Sequence, residues 1–346
     1  MKINIFYSFT NQPWGGGNQF LKALKKELIR QGVYEEDPKK AEAVLFNSHH
    51  NLESCVDLKQ EFPEKIIIYR VDGPISLLRS AGRGVDKIIK LFSKSLVDGI
   101  IFQSKWSKEQ NKNLFDVGAK YETLIYNATD NSIFNMQERA EFNPNRKIRL
   151  ISTSWSPNWR KGFGVYEFLD KNIDFSKYEM IFVGNAPLKF KNIKYISPLS
   201  SEDLATILKQ QDIYITASQN DPCSNSLIEA ASCGLPMIAL EDGGHPELVG
   251  KGGELFHNPE EIMDKIKKIL ENYNNYQNQI PVFSMQEAAQ NYYRFAEKIW
   301  EDAQNKKYKP RRVTPYARAN FYKMKIITSK KAASMARVIR DKLWVH

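Results

Sequence analysis

The stretch NDPCSNSLIEAASCGLP, residues 220–236, decides how this chain folds. The residues just before it, QDIYITAS, are apolar and β-branched, and they predict a buried strand. The segment SLIEAASCGLP predicts a helix that ends at the Gly and the Pro. A strand followed at once by a helix is the repeating unit of a parallel α/β sheet. Two acids, Asp221 and Glu229, lie eight positions apart across this turn.

The same alternation runs through most of the chain. Apolar strands such as KIIIYRV and GIIFQS alternate with amphipathic helices in the first half, and a second series restarts at IRLISTS. The polar stretch Met136–Lys147 between them is the candidate linker. We therefore predict two doubly wound, Rossmann-like domains, residues 1–145 and 146–300, that face a central cleft. The last helix is expected to cross back to the first domain, and a basic tail, residues 301–346, to follow it.

The composition is that of a globular chain. Of the 346 residues, 42% are hydrophobic, and the longest apolar runs are far too short to cross a bilayer. The three cysteines, Cys55, Cys223 and Cys233, are too few for a disulfide framework and lack the spacing of metal ligands. These features predict a protein of the reducing cytoplasm.

Positive charge is concentrated at the end of the chain. Residues 305–346 contain 13 Lys and Arg and one acid, Asp341, which gives +12, so residues 1–304 carry 37 − 39 = −2. Cations interleaved with aromatic residues predict an anionic membrane surface as a partner, on the inner face of the membrane. Nucleic acid is disfavoured because the body of the chain is slightly acidic. A solvated tail without a partner remains the alternative.

Two loops contain residues suited to phosphate. Gly15, Gly16 and Gly17 lie between the first strand and the first helix, where bare backbone and a helix start favour an anion, although a flexible loop has the same composition. Arg160 and Lys161 directly precede a helix in the second half. This pair suits a diphosphate, or else forms an ordinary basic turn.

The acids indicate hydroxyl groups as ligands. A helix that begins near Ser224–Ser226 has free N–H groups that favour an anion, and Asp221 and Glu229 are placed to accept hydrogen bonds from hydroxyls beside it. Asp72, at the end of the strand KIIIYRV, is expected to point into the same cleft. His245 is either a catalytic base or a structural residue.

These motifs together resemble the family 4 retaining glycosyltransferases (glycosyl transferases group 1) over roughly residues 1–300. The most specific part is residues 212–256, where the family has two Glu eight apart, then Cys-Gly-x-Pro, then Gly-Gly-x-Pro-Glu. This chain has Asp221 in place of the first Glu and keeps Glu229. The other matching positions are Cys233, Gly234, Pro236, Gly243, Gly244, Pro246 and Glu247.

The resemblance implies a GT-B fold and a metal-independent hexosyltransferase that needs no cofactor and takes a nucleotide-sugar donor. Glu229 would hold the ribose of the nucleotide, Asp221 the hydroxyls of the donor sugar, and Lys161 with Arg160 the diphosphate. Further donor contacts would come from Gly16, Gly17, Ser224, Asn225 and Ser226. The implied catalytic residues are Asp72, Lys161, Asp221 and Glu229.

Besides Asp221, this chain departs from the family pattern at two further positions. Ser156 stands five residues before Lys161, where the family usually has Arg, and Asp72 is the best match to the family's first-domain His. These departures bear on which donor sugar is used.

The implied reaction is transfer, with retention of the anomeric configuration, to a glycan or lipid-linked acceptor in surface polysaccharide synthesis. The leaving diphosphate would accept the acceptor's proton while cations stabilise it, and closure of the two domains would complete the site. Two alternatives stay open: a nucleotide-sugar epimerase on the same fold, and a non-catalytic sugar-binding protein.

Overall fold

The computed structural model of the chain describes residues 1–10, 16–78 and 83–323. Gly15 of the predicted glycine loop and residues 324–346 of the predicted basic tail lie outside these ranges. Among the helices described, none is both long and apolar enough to cross a membrane.

The first lobe is built on a parallel sheet of five strands in the order β1-β2-β3-β4-β5. The strands are β1 (Ile3–Ile5), β2 (Ala43–Asn47), β3 (Ile66–Val71), β4 (Gly99–Phe102) and β5 (Tyr121–Leu124). The helices are α1 (Gly16–Arg30), α2 (Leu52–Glu61), α3 (Ile75–Leu78), α4 (Arg83–Ser95) and α5 (Lys105–Phe115). Between α1 and β2, the backbone of residues 33–35 forms hydrogen bonds with the edge of β1 that does not pair with β2. The winding direction therefore reverses at β1, where the glycine loop leaves the sheet.

The second lobe has a parallel sheet of six strands in the order β11-β10-β9-β6-β7-β8. The strands are β6 (Ile148–Ser154), β7 (Tyr178–Gly184), β8 (Lys194–Ile196), β9 (Ile213–Thr216), β10 (Met237–Leu240) and β11 (Gly253–Phe256). The helices are α6 (Phe163–Asn172), α7 (Ser201–Leu208), α8 (Asn225–Ser232), α9 (His245–Val249), α10 (Ile262–Glu271) and α11 (Tyr273–Asn278). The winding reverses between β6 and β9, so the loops after these strands define the ligand-binding edge of this sheet.

The last long helix, α12 (Met285–Gln304), returns to the first lobe and packs against α1, β2 and β3. Gly99 at the start of β4 makes room for it, because a Cβ there would lie 2.8 Å from a ring carbon of Phe295. The return of the last helix was predicted. The predicted domain boundary at residue 300, however, falls inside this helix.

The segment after α12 packs on the first lobe. Tyr308 donates its hydroxyl to Asp98 (2.7 Å), as does the backbone N–H of Arg311 (2.8 Å), and Asp98 pairs with fully buried Lys59 at 3.1 Å. Residues 315–323 form a helix whose Phe321 is 2% exposed. The first part of the predicted basic tail, residues 305–323, is therefore held on the first lobe, because its apolar side chains bury against the first-lobe core.

Candidate functional site

Two adjoining cavities lie between the lobes. Cavity A has a volume of about 270 Å³ and is lined by both lobes, and cavity B, of about 450 Å³, lies between α1 and residues 198–202. The predicted site residues that line cavity A are Gly16, Gly17, Asp72, Lys161, Asp221, Ser224, Asn225, Ser226 and Glu229. Gly16, Asn225 and Glu229 line both cavities. The structure therefore brings together all the predicted site residues except Arg160.

Cavity A lies where a helix of each lobe begins. α1 begins at Gly16 and α8 begins at Asn225. Ser224, the residue before α8, makes no side-chain cap, and its hydroxyl lies 3.1 Å from that of Ser226. The first N–H groups of α8 therefore face the cavity without a capping side chain, and two helix starts favour an anion between them.

The two helix starts nearly touch. A Cβ built on Gly16 would overlap the side-chain amide of Asn225 and lie 2.8 Å from its Cγ, whereas a Cβ on Gly17 meets nothing within 4 Å. Asn225 has little freedom to move away, because its Oδ1 accepts from Asn127 Nδ2 at 3.0 Å. Gly16 is therefore required by the closeness of the lobes rather than by loop flexibility.

Gly16→Ala is expected to push Asn225 out of position and to destabilise the protein by about 1–3 kcal/mol. Gly17→Ala is the matched control, because it makes the same change one residue later in open space and adds a better helix former. Thermal unfolding of both variants checks this. Equal effects of the two substitutions would contradict the role given to Gly16.

Lys161 is held at the cavity by a tight turn after β6. The side chain of Asn158 accepts from the Arg160 N–H at 3.0 Å and starts one 3₁₀ turn, residues 159–161. Gly162 then adopts φ +88°, and a Cβ there would lie 2.7 Å from the backbone carbon of Ala217. Since that conformation and that spacing both require glycine, the turn that aims Lys161 is fixed.

Lys161 and Asp221 form an ion pair at the cavity wall. Lys161 Nζ lies 2.9 Å from Asp221 Oδ2, and Asp221 Oδ1 accepts from the Cys223 N–H at 3.3 Å. Burial opposes ionisation of Asp221, but Lys161, His245 and the Cys223 amide together hold its pKa below the ordinary value. Asp221 is therefore an ionised acceptor, and Lys161 has further N–H groups to offer a ligand.

Glu229 differs from Asp221 in its hydrogen bonding. It is 7% exposed, and within the part of the chain that the structure describes no group donates a hydrogen bond to its carboxylate. Burial raises the pKa of Glu229 from 4.5 to about 8. A buried carboxyl without donors costs free energy, so its place on the wall shared by both cavities indicates a ligand that supplies hydroxyl donors.

Arg70 is a cavity residue that sequence reasoning missed. It is 1% exposed, and it donates to Asn47 (2.5 Å), to Asp72 (3.2 Å) and to Asn127 (2.7 Å), while its Nε has no partner among the described groups. Gln103 also donates to Asp72. An Arg in the otherwise apolar strand KIIIYRV, two positions before Asp72, was the signal that could have identified it.

Asn127 links this network to the second lobe. It accepts from Arg70 and donates to Asn225 Oδ1, so a hydrogen-bonded chain runs from Asp72 to the start of α8. Asn127 is 1% exposed. The position of Asp72 and the position of α8 are thus set by one network.

Arg160 and His245 do not line either cavity. Arg160 points the other way from Lys161 and donates to the Leu77 carbonyl of the first lobe, so the prediction that it acts with Lys161 needs correction. His245 is fully buried, and its Nδ1 lies 2.9 Å from the Leu240 carbonyl. The structural interpretation of His245 is favoured, because the enclosed ring does not reach either cavity.

Glu247 joins the lobes on the other side of the cavity. Its carboxylate accepts from the N–H groups of Lys105 (2.8 Å) and Trp106 (2.9 Å), the first residues of α5, and from the Tyr126 hydroxyl (2.8 Å). An anion at a helix start is electrostatically favourable. Glu247 therefore holds the second lobe against the first.

Over the ranges the structure describes, no three His, Cys, Asp or Glu side chains form a metal-ion site.

Comparison with known proteins finds similarity to one family over part of the chain. Residues 186–281 match the family model of the glycosyl transferases group 1. A probable sucrose-phosphate synthase of Thermosipho melanesiensis is 28% identical over 141 residues, 39% of this chain and 33% of that protein. The D-inositol 3-phosphate glycosyltransferase of Corynebacterium jeikeium is 30% identical over 82 residues, 22% of this chain and 20% of that protein. The matched segments thus span a third or less of these relatives.

Solved structures share the fold over most of the chain. Sucrose-phosphate synthase of Thermosynechococcus elongatus has a TM-score of 0.65 at 12% identity and covers 88% of this chain and 99% of that one. Anabaena HepE in complex with UDP-glucose has a TM-score of 0.62 at 14% identity, and the match covers 88% of this chain and 100% of that one. The predicted GT-B fold and the predicted resemblance to the glycosyl transferases group 1 are confirmed.

Proposed function

We propose that this protein, with its glycosyl transferases group 1 segment at residues 186–281, is a retaining glycosyltransferase. It takes a sugar from a nucleotide-sugar donor and transfers it to a glycan or lipid-linked acceptor, in the synthesis of a surface polysaccharide. Glu229 carries the proposal, because it is a buried carboxyl on the wall between two cavities and no hydrogen-bond donor to it is found among the described residues. A ribose, with two adjacent hydroxyls, is a ligand that satisfies it.

The donor would occupy both cavities, with its ribose at Glu229. Its diphosphate would lie in cavity A, where the start of α8, the start of α1 and Lys161 offer N–H groups. The base would extend into cavity B, towards Pro198 and Leu199. Ionised Asp221 would accept from the hydroxyls of the transferred sugar. The UDP-glucose bound by HepE, which shares this fold, is an example of such a donor.

The chain's own groups supply what the transfer requires. The bond from the anomeric carbon to the diphosphate oxygen breaks, and the developing negative charge is stabilised by Lys161 and the α8 amides. An oxygen of the leaving diphosphate accepts the acceptor's proton, and the acceptor oxygen forms the new bond on the same face of the sugar. Protein cations and amides play the part that a metal ion plays in other transferases, so metal independence belongs to the proposal.

Asp72 is assigned to the acceptor side. Its side chain is 30% exposed, lines cavity A from the first lobe, and is oriented by Arg70 and Gln103. A carboxylate fixed in this way accepts a hydrogen bond from an incoming hydroxyl and so orients it for attack. Asp72 would thereby position the acceptor opposite the donor held by the second lobe.

The test is incubation of the full chain with a panel of UDP-, GDP-, dTDP- and ADP-sugars. Released nucleotide and the sugar product are followed, and the anomeric configuration of any transfer product is read from its NMR coupling constant. Nucleotide release with a retained anomeric configuration is expected for one donor class. An epimerised sugar would show the epimerase instead, an inverted product would overturn retention, and binding without turnover would show a non-catalytic sugar-binding protein.

A further inference from the structure

Helix α4 presents one row of positive charge to the outside. Arg83, Lys87, Lys90 and Lys94 are spaced by four, three and four residues, which places them on one side of the helix, and all four are exposed. The apolar side of the same helix packs into the first-lobe core. The row is therefore a fixed surface feature.

Neighbouring elements extend this row. The Lys112 side chain of α5 is 42% exposed, and Lys94, Lys112, Lys120 and Arg311 line one surface depression together with Asp116 and Glu122. Arg311 belongs to the segment after α12, which the bonds to Asp98 hold on this lobe. We call the exposed cations of α4 and α5, together with Lys120 and Arg311, the α4–α5 face.

The α4–α5 face keeps a positive balance after its ion pairs are counted. Residues 83–122 contain eight Lys and Arg and five Asp and Glu, 8 − 5 = +3, and two of these acids, Asp86 and Asp98, are buried. Asp116 pairs with Lys90 (3.5 Å) and Lys94 (3.0 Å), and Glu122 pairs with Lys108 (3.4 Å) and Lys112 (2.6 Å), so two acids are shared among four lysines. Because residues 1–304 sum to −2, the rest of that region carries −2 − 3 = −5. Residues 83–122 therefore carry net positive charge, whereas the remainder of residues 1–304 is acidic.

We infer that the α4–α5 face docks on an anionic lipid bilayer. The sequence predicted membrane attraction through residues 305–346, and the structure places the first part of that segment beside α4 and α5. Lysines on convex helices are separate point charges, which suits a diffuse anionic surface. Nucleic-acid binding would favour a groove with Arg forks and aromatic stacking platforms, whereas α4 and α5 present mainly Lys here.

The face adjoins the cleft. Leu78, the last residue of α3, lines cavity A, and α4 begins at Arg83. Docking through α4 therefore brings the acceptor side of the cleft close to the membrane, where a lipid-linked acceptor lies. This last step rests on the proposed function, whereas the docking itself does not.

The test is co-sedimentation of the full chain with vesicles of phosphatidylglycerol and phosphatidylcholine, and with vesicles of phosphatidylcholine alone. The face variant is Lys87→Glu/Lys90→Glu/Lys94→Glu. The matched control reverses three exposed second-lobe lysines, Lys191→Glu/Lys251→Glu/Lys267→Glu, and so changes the net charge equally. We expect binding to the anionic vesicles, at least a tenfold loss in the face variant, and less than a twofold change in the control.

Two outcomes would overturn the docking proposal. Equal losses in the face variant and the control would show that net charge alone acts, and equal binding to both vesicle types would show that anionic lipid is not recognised. Nucleotide release from a soluble donor is measured in parallel, and the face variant should keep it. An unaltered protein that releases nucleotide normally but does not bind the anionic vesicles defeats docking alone, whereas an unaltered protein that binds them without turnover of any donor defeats the proposed function alone.

Discussion

Glu229→Gln is expected to stabilise the free protein at alkaline pH and, at the same time, to weaken nucleotide binding. Because burial raises the pKa of Glu229 to about 8 from 4.5, the folded protein holds a proton that the unfolded chain has lost between these values. Wild-type stability therefore falls as the pH rises through this window, by about 1.4 kcal/mol per pH unit. The Gln variant has no such proton. Its free energy of unfolding, relative to that of the wild type, therefore rises by ~4 kcal/mol from pH 5 to pH 8.

Urea unfolding of both proteins at several pH values measures this difference. The control is Glu241→Gln, which makes the same change at a carboxylate whose side chain is 45% exposed. Parallel stability curves for wild type and Glu229→Gln between pH 5 and pH 8 would refute a protonated, unpartnered Glu229.

The same substitution should lower the affinity for nucleotide while it raises the stability of the free protein. Above pH 8 the wild-type Glu229 is ionised, so the substitution replaces a charged carboxylate by a single neutral acceptor, and hydrogen bonds to charged groups are stronger by about 1 kcal/mol or more each. We expect nucleotide affinity, measured above pH 8 by calorimetric titration, to fall roughly 10- to 100-fold. A purely structural Glu229 would give a more stable variant with unchanged affinity.

Lys161→Met is expected to abolish most of the proposed transfer activity. The substitution removes the cation that meets the diphosphate, which by analogy with single oxyanion donors lowers turnover about 100- to 1,000-fold. It also leaves buried Asp221 without its closest cation, so the free energy of unfolding should fall by about 1–3 kcal/mol. This loss is smaller than for a fully buried ion pair, because the Lys161 side chain is 36% exposed to solvent. Nucleotide release and urea unfolding measure the two effects.

The double variant Lys161→Met/Asp221→Asn separates these two effects. Removing the unpaired charge should restore most of the lost stability. Affinity for a nucleoside diphosphate, which lacks the sugar assigned to Asp221, should stay low because the diphosphate still lacks its cation. Recovery of this affinity together with stability would show that Lys161 serves the fold alone.

The local pattern of the sequence determined the architecture. Strand and helix periods are properties of neighbouring residues, so the alternation of strands and helices predicted a parallel sheet in each half of the chain. The strand ends predicted that Asp72 from the first sheet would face Asp221 and Glu229 from the strand-to-helix turn of the second. Elements with weak patterns escaped prediction: α2 mixes polar and apolar residues, and β8 is an exposed edge strand of three residues.

Contacts between distant segments decided which side chains line the cavity and where the end of the described chain packs. Arg160 and Lys161 are adjacent in sequence, yet one bonds to the Leu77 carbonyl and the other lines the cavity. Arg70 joins the site through Asn127, a partner 57 positions away, and residues 305–323 pack on a lobe that begins 300 residues earlier. Which way a side chain points, and what it meets there, depends on packing between distant segments, and no local period encodes that.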